Sequence, residues 1–313
     1  MKILLARPRG FCAGVEMAVD CLEKALELFG SPLYAFHQIV HNRALVEKFE
    51  KRGVTFVNEL DEIPPNSTVV FSAHGVSPEA YHLSHLRNVR VIDATCPLVL
   101  KVHNEARNFA REGYTIFLIG HSGHDEVVGV MDEAPEEIVL LESQQDIEML
   151  KVNNPDRVAY LTQTTLSVDD TQKIVQALRR RFPTIKGPSR EDICYATQNR
   201  QDAVRILSAE ADLALVIGSC NSSNSQRLVE VAQSNGIPAY LVDGPEEIDA
   251  EWFDGISTVM VTAGASVPEE LVIKSVEWLK FRFQATVEER TLSHEFVHFR
   301  LPKAIRPEGQ QAD

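Results

Sequence analysis

A cysteine recurs three times at the same point of a strand–loop–helix pattern, and this recurrence constrains the fold more than any other feature of the sequence. The first cysteine follows a predicted strand at residues 2–6, the second follows the β-branched run at residues 89–92, and the third precedes a helical pattern. An equal interval then separates each cysteine from a polar residue after the next predicted strand: Cys12 and His37, Cys96 and His121, Cys194 and Ser219. A pattern that returns at a fixed interval indicates repeated structural units.

The residues around the second cysteine indicate its local structure. Pro97 follows Cys96 and opens a helical pattern, and proline is favoured at the first helical position. Cys96 is therefore predicted at a helix N-terminus, where the dipole and the unpaired N–H groups stabilise a thiolate. Such a thiolate suits a metal ligand or a nucleophile.

The polar loops that follow the predicted strands indicate where a ligand would bind. Each repeat contributes two of them, at residues 37–42 and 71–77, 120–126 and 161–167, and 218–225 and 261–267. Open α/β sheets bind ligands beyond the carboxyl ends of their strands. The sequence thus predicts an α/β protein of three small units.

The predicted boundaries of these units follow the repeats. The first unit, residues 1–95, comprises the N-terminal strand and the first repeat, and the others span residues 96–190 and 191–283. A tail at residues 284–313 is predicted to contain a returning strand near Glu295–Leu301 and to fray beyond Pro302.

Composition excludes several classes of protein. The 313 residues include 31 Lys and Arg against 45 Asp and Glu, a net charge of −14, which is a poor match for general nucleic-acid binding. No segment has the roughly 18 consecutive apolar residues that a membrane span needs. The N-terminal segment is too short for a signal-peptide core, so a cytoplasmic location is expected. Five widely spaced cysteines argue against a disulfide framework.

Three thiolates at equivalent positions could hold a metal or a cluster with one coordination position open, as catalytic sites have. Spacing alone does not separate zinc from an iron–sulfur cluster, and a single buried cysteine is usually only a small hydrophobic residue. Cys21 lies off the predicted apolar stripe of its helix and is interpreted as structural. Cys220 is predicted beside the pocket without being a ligand.

Serine, asparagine and histidine side chains crowd the polar loops. A helix N-terminus needs only one such residue as a cap, so the cluster Ser219–Ser225, with Ser266, favours an anion site. His41, His74 and His124 fit the binding of a dianion or a diphosphate. Glu126 could hold a proton beside such a ligand, and Thr164 could pass it on. The alternatives are a solvated glutamate and an ordinary cap.

Two nucleotide-binding fingerprints, G-x-G-x-x-G and the Walker A pattern, are absent from the sequence. A basic run, Arg179–Arg181 with Lys186 and Arg190, either complements a helix C-terminus or offers a docking surface to an acidic redox partner.

Taken together, several segments resemble the family of 4-hydroxy-3-methylbut-2-enyl diphosphate reductases, the last enzymes of the methylerythritol phosphate route to isoprenoids. The similarity extends from Lys2 to about Pro302, and Cys220 is the one departure noticed inside a motif. It is carried by the segments PRGFCAGV, HQIVHN, FSAHGVS, DATCPLV, GHSGHDEVVG, TQTTLSVDDT, DICYATQNRQ, GSCNSSNS and TAGAS.

The resemblance implies a trefoil of three pseudo-threefold-related α/β domains around an oxygen-sensitive [4Fe–4S] cluster. It implies Cys12, Cys96 and Cys194 as cluster ligands, with the fourth iron open to the substrate hydroxyl. Glu126 would donate the proton, with Thr164 and His124 beside it, while Gln163 and Thr197 would line the pocket. The implied diphosphate contacts are His41, His74, His124, Ser222, Ser223, Asn224 and Ser266.

The reaction implied is a two-electron, two-proton reductive dehydroxylation that yields isopentenyl and dimethylallyl diphosphate. It calls for a ferredoxin- or flavodoxin-type electron donor and is compatible with a monomer that needs neither nucleic acid nor membrane. Two other classes stay open from the residues alone. One is a zinc enzyme that hydrolyses a phosphorylated substrate, and the other is a non-catalytic iron–sulfur sensor or electron carrier.

Overall fold

The computed structural model describes residues 1–306 and divides the chain into two compact units. The first unit comprises Met1–Val15, His41–Leu45 and Tyr195–Val297. The second comprises Glu16–Val40, Val46–Cys194 and the described residues from His298 onward. The three-unit division predicted above stays a prediction.

Strands in the described residues are short and lie between helices. The strands are β1 Lys2–Arg7, β2 Leu33–Phe36, β3 Val54–Val57, β4 Thr68–Phe71, β5 Arg90–Asp93, β6 Thr115–Ile119, β7 Ile138–Leu141, β8 Val158–Thr162, β9 Leu213–Ile217, β10 Ala239–Val242, β11 Thr258–Ala263 and β12 Thr286–Thr291. The α-helices are α1 Ala13–Phe29, α2 Arg43–Glu50, α3 Pro78–Leu86, α4 Pro97–Arg111, α5 Asp125–Met131, α6 Asp146–Met149, α7 Val168–Arg181, α8 Tyr195–Leu207, α9 Ser223–Ser234 and α10 Glu269–Phe283.

The first unit is built on a parallel sheet with the strand order β10-β9-β11-β1-β12. The N-terminal strand therefore pairs with β11 and β12, with Lys2 opposite Thr258 on one side. Helices cover both faces, because apolar residues point both ways along each inner strand. Ile3 packs with Val272 of α10, whereas Leu4 packs with Val204 of α8.

The second unit contains two smaller parallel sheets, with strand orders β3-β2-β4-β5 and β7-β6-β8. Every residue of β8 is buried, as expected of an apolar run covered on both faces. Val102 and Ala106 of α4 pack with Leu161 of β8. The predicted α/β class is confirmed, and the strands of residues 1–306 form three small parallel sheets.

The C-terminal segment differs from its prediction. The returning strand is β12, and residues 295–301 form no strand. Gln284 ends α10 in the left-handed conformation, and Thr286–Thr291 then pair along the whole of β1. This pairing with the N-terminal strand fixes the position of the returning strand. Residues Lys303–Ile305 form a 3-10 turn in which Ile305 is buried, contrary to the predicted fraying. The rest of that predicted frayed tail, residues 307–313, lies outside the described part of the chain.

No helix among residues 1–306 combines the length and the apolar character that crossing a bilayer would require.

Candidate active site

Cys96 begins α4, as Pro97 predicted. Its backbone has φ −57° and ψ 132°, which leaves its carbonyl to accept the first helical bond from Leu100 at 2.9 Å. The Cys96 N–H donates to the carbonyl of Ala73 at 3.0 Å. This bond ties the second repeated cysteine to the loop that carries His74.

Two histidines of the second unit face each other across neighbouring loops. The rings of His74 and His124 lie 5.8 Å apart at 85°. His124 is the N-cap of α5, and its Nδ1 accepts the N–H of Glu126 at 3.2 Å. Because Nδ1 accepts this bond, a neutral His124 ring carries its proton on Nε2. Nε2 is then the nitrogen that can donate to an anion.

Glu126 is almost completely removed from water, with an exposed fraction of 1%. Its Oε1 accepts the Thr164 N–H at 2.7 Å, and its Oε2 accepts the Thr164 hydroxyl at 2.9 Å. Burial raises the pKa of Glu126 to about 7, although the two bonds from Thr164 lower it. The carboxyl group is thus able to gain and lose a proton near neutral pH.

Thr164 also contacts the third repeated cysteine, because its carbonyl accepts the Cys194 N–H at 3.0 Å. The preceding residue, Gln163, is 1% exposed, and its Oε1 accepts the His121 N–H at 3.1 Å. The two residues that follow β8, Gln163 and Thr164, therefore lie beside Glu126 and Cys194. These contacts bring together seven predicted residues of the second unit: His74, Cys96, His124, Glu126, Gln163, Thr164 and Cys194.

The first unit collects a second set of predicted residues around the loop after β11. The Cys12 N–H donates to the carbonyl of Ala265 at 3.1 Å, and Ser266 Oγ donates to the carbonyl of His41 at 3.0 Å. Asn224 Oδ1 accepts the Ala265 N–H at 2.8 Å, and its Nδ2 lies 3.4 Å from Thr197 Oγ1.

Ser222 and Ser223 stand at the start of α9, directly before Asn224. Ser222 is the N-cap of α9, and its Oγ accepts the Ser225 N–H at 3.4 Å. Both serines are buried, as are Asn224 and Thr197. One cap explains one of these side chains, so capping alone does not account for the whole cluster of buried polar groups.

The exposures of the five cysteines separate the repeated ones from the others. Cys12, Cys96 and Cys194 are each partly exposed, whereas Cys220 is exposed and Cys21 is buried. Burial raises the pKa of Cys21 to about 12, with Asp20 and Asp93 adding to the shift. The sequence placed Cys21 off the buried apolar stripe of α1. That placement is wrong, because the side of α1 that carries Cys21 is buried as well. No disulfide joins any of these cysteines, all of which lie within residues 1–306.

Two acidic residues near the candidate site were not predicted from the sequence. Asp125 Oδ1 lies 3.3 Å from Nδ1 of His37, and Asp125 Oδ2 lies 3.9 Å from Nδ1 of His74. Its place directly after His124 is the only signal that the sequence offers. Asp192 is buried, and burial raises its pKa to about 6, against the opposing effects of Lys101 and the Thr162 N–H. An isolated aspartate in a polar segment carries no sequence signal for burial.

A family model and many known relatives match this chain. The model described as LytB protein matches residues 3–280. A 4-hydroxy-3-methylbut-2-enyl diphosphate reductase of Rhodopirellula baltica is 52% identical over 98% of this chain and 96% of the relative. The reductase of the same name from Acidothermus cellulolyticus is 55% identical over 98% of this chain and 91% of its own length.

Two solved structures are similar to this one. The E-1-hydroxy-2-methyl-but-2-enyl-4-diphosphate reductase of Plasmodium falciparum superposes with a TM-score of 0.95 at 38% identity, covering 97% of this chain and 96% of that one. The second is an (E)-4-hydroxy-3-methyl-but-2-enyl diphosphate reductase, the terminal enzyme of the non-mevalonate pathway. It superposes with a TM-score of 0.64 at 31% identity, covering 90% of this chain and 100% of that one.

Proposed function

The chain belongs to the LytB protein family of 4-hydroxy-3-methylbut-2-enyl diphosphate reductases, and we propose how its own residues serve that reduction. The reaction breaks the allylic C–O bond, forms one C–H bond and releases water, so it consumes two electrons and two protons. A new C–H bond at either end of the allyl unit gives isopentenyl or dimethylallyl diphosphate.

We infer that Cys12, Cys96 and Cys194 hold the iron–sulfur cluster of the family as a [4Fe–4S] group with one iron left for substrate. The donor chemistry fits, since these three thiols are partly exposed in loops and at a helix start, unlike the buried Cys21. When bound, the cluster would supply electrons one at a time and a Lewis acid for the leaving oxygen.

We propose that Glu126 delivers a proton to the substrate hydroxyl through Thr164. At a pH near its pKa of about 7, Glu126 is protonated in a large fraction of molecules. A protonated Oε2 donates to Thr164 Oγ at the observed 2.9 Å, which frees the threonine hydrogen to turn towards a substrate hydroxyl. The bond from the Thr164 N–H to Oε1 keeps the carboxyl group in place during the transfer.

We propose that the diphosphate binds to neutral donors. His124 offers its Nε2 proton, and His41 and His74 add imidazole donors. Ser222, Ser223, Asn224 and Ser266 add hydroxyl and amide groups near the start of α9. Holding the diphosphate end orients the hydroxyl end of the substrate, while Gln163 and Thr197 line the space between.

The reduction also needs an outside source of electrons. We propose a ferredoxin- or flavodoxin-type donor, and a monomeric enzyme that works in the reducing cytoplasm, where thiolate ligands stay reduced.

Replacement of a proposed ligand tests the cluster assignment. Protein purified anaerobically should show the brown absorbance at ~400 nm of an iron–sulfur chromophore, and Cys96→Ser should lose it. Cys220→Ser is the matched control, because this exposed thiol lies within the polar loop 218–225 without being a proposed ligand. Full absorbance in Cys96→Ser, or active colourless protein that contains zinc, would refute the assignment.

Replacement of Glu126 tests proton delivery separately. Glu126→Gln should retain the absorbance and bind substrate, yet lose 10²-fold or more of kcat, about what general acid catalysis contributes. A fully active Gln variant would remove Glu126 from the mechanism.

A further inference from the structure

The segment that carries Cys194 is held on two sides by polar contacts that the reaction does not use. On one side Ser189 donates its N–H to Glu105 Oε1 of α4 at 3.0 Å. On the other side the Cys194 N–H donates to Thr164, just beyond β8. Between these two contacts lies an ion pair that connects the segment both to α4 and to the end of β8.

The ion pair consists of Lys101 and Asp192. Lys101 Nζ lies 2.7 Å from Asp192 Oδ1 and also donates to the carbonyl of Arg190. It lies 3.2 Å from Glu105 Oε2, one turn further along α4. The Asp192 side chain has no exposed surface, whereas that of Lys101 is 24% exposed. A carboxylate so deeply desolvated needs its partner, since a buried unpaired charge is strongly unfavourable.

The second oxygen of Asp192 connects the pair to β8. Oδ2 accepts the Thr162 N–H at 2.9 Å. Thr162 ends β8, two residues before Thr164, and Asp192 stands two residues before Cys194. Lys101 lies about one and a half helical turns after Cys96 on the same helix. One buried carboxylate therefore joins the three segments that carry Cys96, Thr164 and Cys194.

We propose that the Lys101–Asp192 ion pair is a positioning device for the cluster, which fixes the Cys194 segment to the helix that begins at Cys96 and to the strand end that carries Thr164. This inference rests on the proposed function, because it presumes that both cysteines are ligands. Groups that orient metal ligands from behind typically change affinity or activity 10- to 100-fold when they are removed.

Three variants test the pair. Asp192→Asn keeps an oxygen for the Thr162 N–H but removes the charge, and Lys101→Met removes the other charge. The double variant Lys101→Met/Asp192→Asn leaves no charged Asp192 without its cation, and Glu105 keeps its two hydrogen bonds from Ser189, so it retains the fold even where a single variant does not. Asp170→Asn is the matched control, since it breaks the Lys–Asp pair of Asp170 and Lys173, whose side chains are 62% and 68% exposed.

The readout is the rate at which the anaerobic holoenzyme loses its ~400 nm absorbance to an excess of iron chelator. We expect about a 10-fold faster loss in each single variant and an unchanged rate in Asp170→Asn. The double variant should lose the cluster about as fast as either single variant, because two residues that act as one pair are not additive. Lys101→Arg, which keeps a cation at this position, should recover much of the wild-type rate.

The outcomes separate the two proposals. A wild-type protein that takes up no cluster would refute the proposed function, and this inference with it. A wild type that holds its cluster, with single variants that lose it no faster, would overturn the inference alone. Additive effects in the double variant would also overturn it, since the residues would then act independently.

Discussion

Glu126 shows how a single residue acquires a chemical role from its surroundings. Its sequence neighbours, His124 and Asp125, are polar and partly exposed, yet the carboxyl group itself is buried against Thr164, 38 positions away. Burial disfavours the ionised form, and the two bonds from Thr164 offset only part of that effect.

This raised pKa makes stability depend on pH. Below about pH 4.5 the carboxyl group is protonated in both folded and unfolded chains, and it adds no penalty. Between about 4.5 and 7 the unfolded chain loses the proton first, so the folded state becomes less stable by about 3 kcal/mol as pH rises. Glu126→Gln should lack this loss, and urea unfolding of both proteins across that range measures it. Parallel stability curves for the two proteins would contradict the raised pKa.

At the scale of elements, the start of α9 depends on close packing against the loop after β11. Ser225 is completely buried, and a Cβ atom at Gly264 would overlap its hydroxyl group. Gly264 is needed there for space, since Ser225 Cβ would also lie only 3.2 Å from the added atom, whereas Asn224 Oδ1, at 3.4 Å, would be in ordinary contact. The same asparagine accepts the Ala265 N–H and lies in the proposed diphosphate site.

Gly264→Ala should therefore displace Ser225 and, through it, the adjacent Asn224 in the first turn of α9. We expect a loss of about 1–3 kcal/mol in the free energy of unfolding, typical of overpacking, together with a higher KM for the diphosphate substrate. The double variant Gly264→Ala/Ser225→Gly restores the space and should recover most of the stability. If the single variant matches wild type in both denaturant midpoint and KM, the packing argument fails.

At the scale of the whole molecule, residues from both ends of the sequence meet at Arg200. This side chain is completely buried and pairs with both oxygens of Glu295, at 3.0 and 3.3 Å. It also donates to the carbonyl of Gly10 at 2.7 Å and to that of Ala196 at 2.9 Å. The segment after β12 thereby supports the loop that leads to Cys12.

Glu295→Ala would leave the Arg200 cation buried without its partner. We expect the free energy of unfolding to fall by about 3–5 kcal/mol. The double variant Arg200→Met/Glu295→Leu, which replaces both charges by apolar groups, should lose less. Denaturant unfolding of the wild type, the single variant and the double variant measures these free energies. A Glu295→Ala protein as stable as the wild type would show that the segment after β12 contributes little to stability.

The sequence by itself determined the elements and the placement of the repeated cysteines. Strands β1 and β5 lie within one residue of the predicted segments 2–6 and 89–92, because each segment is a short apolar run beside polar loop residues. Pro97 determined the start of α4 because its fixed φ angle and missing N–H suit the first turn. Such signals act within a few residues, so they can be read without knowing the fold.

Only the tertiary structure decided which polar residues are buried and what they contact. Glu126 meets Thr164, Asp192 meets Lys101, and Arg200 meets Glu295, in each case across a wide separation in sequence. The position of the returning strand likewise depended on β1, at the opposite end of the chain. Desolvation and charge pairing depend on distance in space, and no local pattern of residues encodes which distant segment will remove a carboxylate from water.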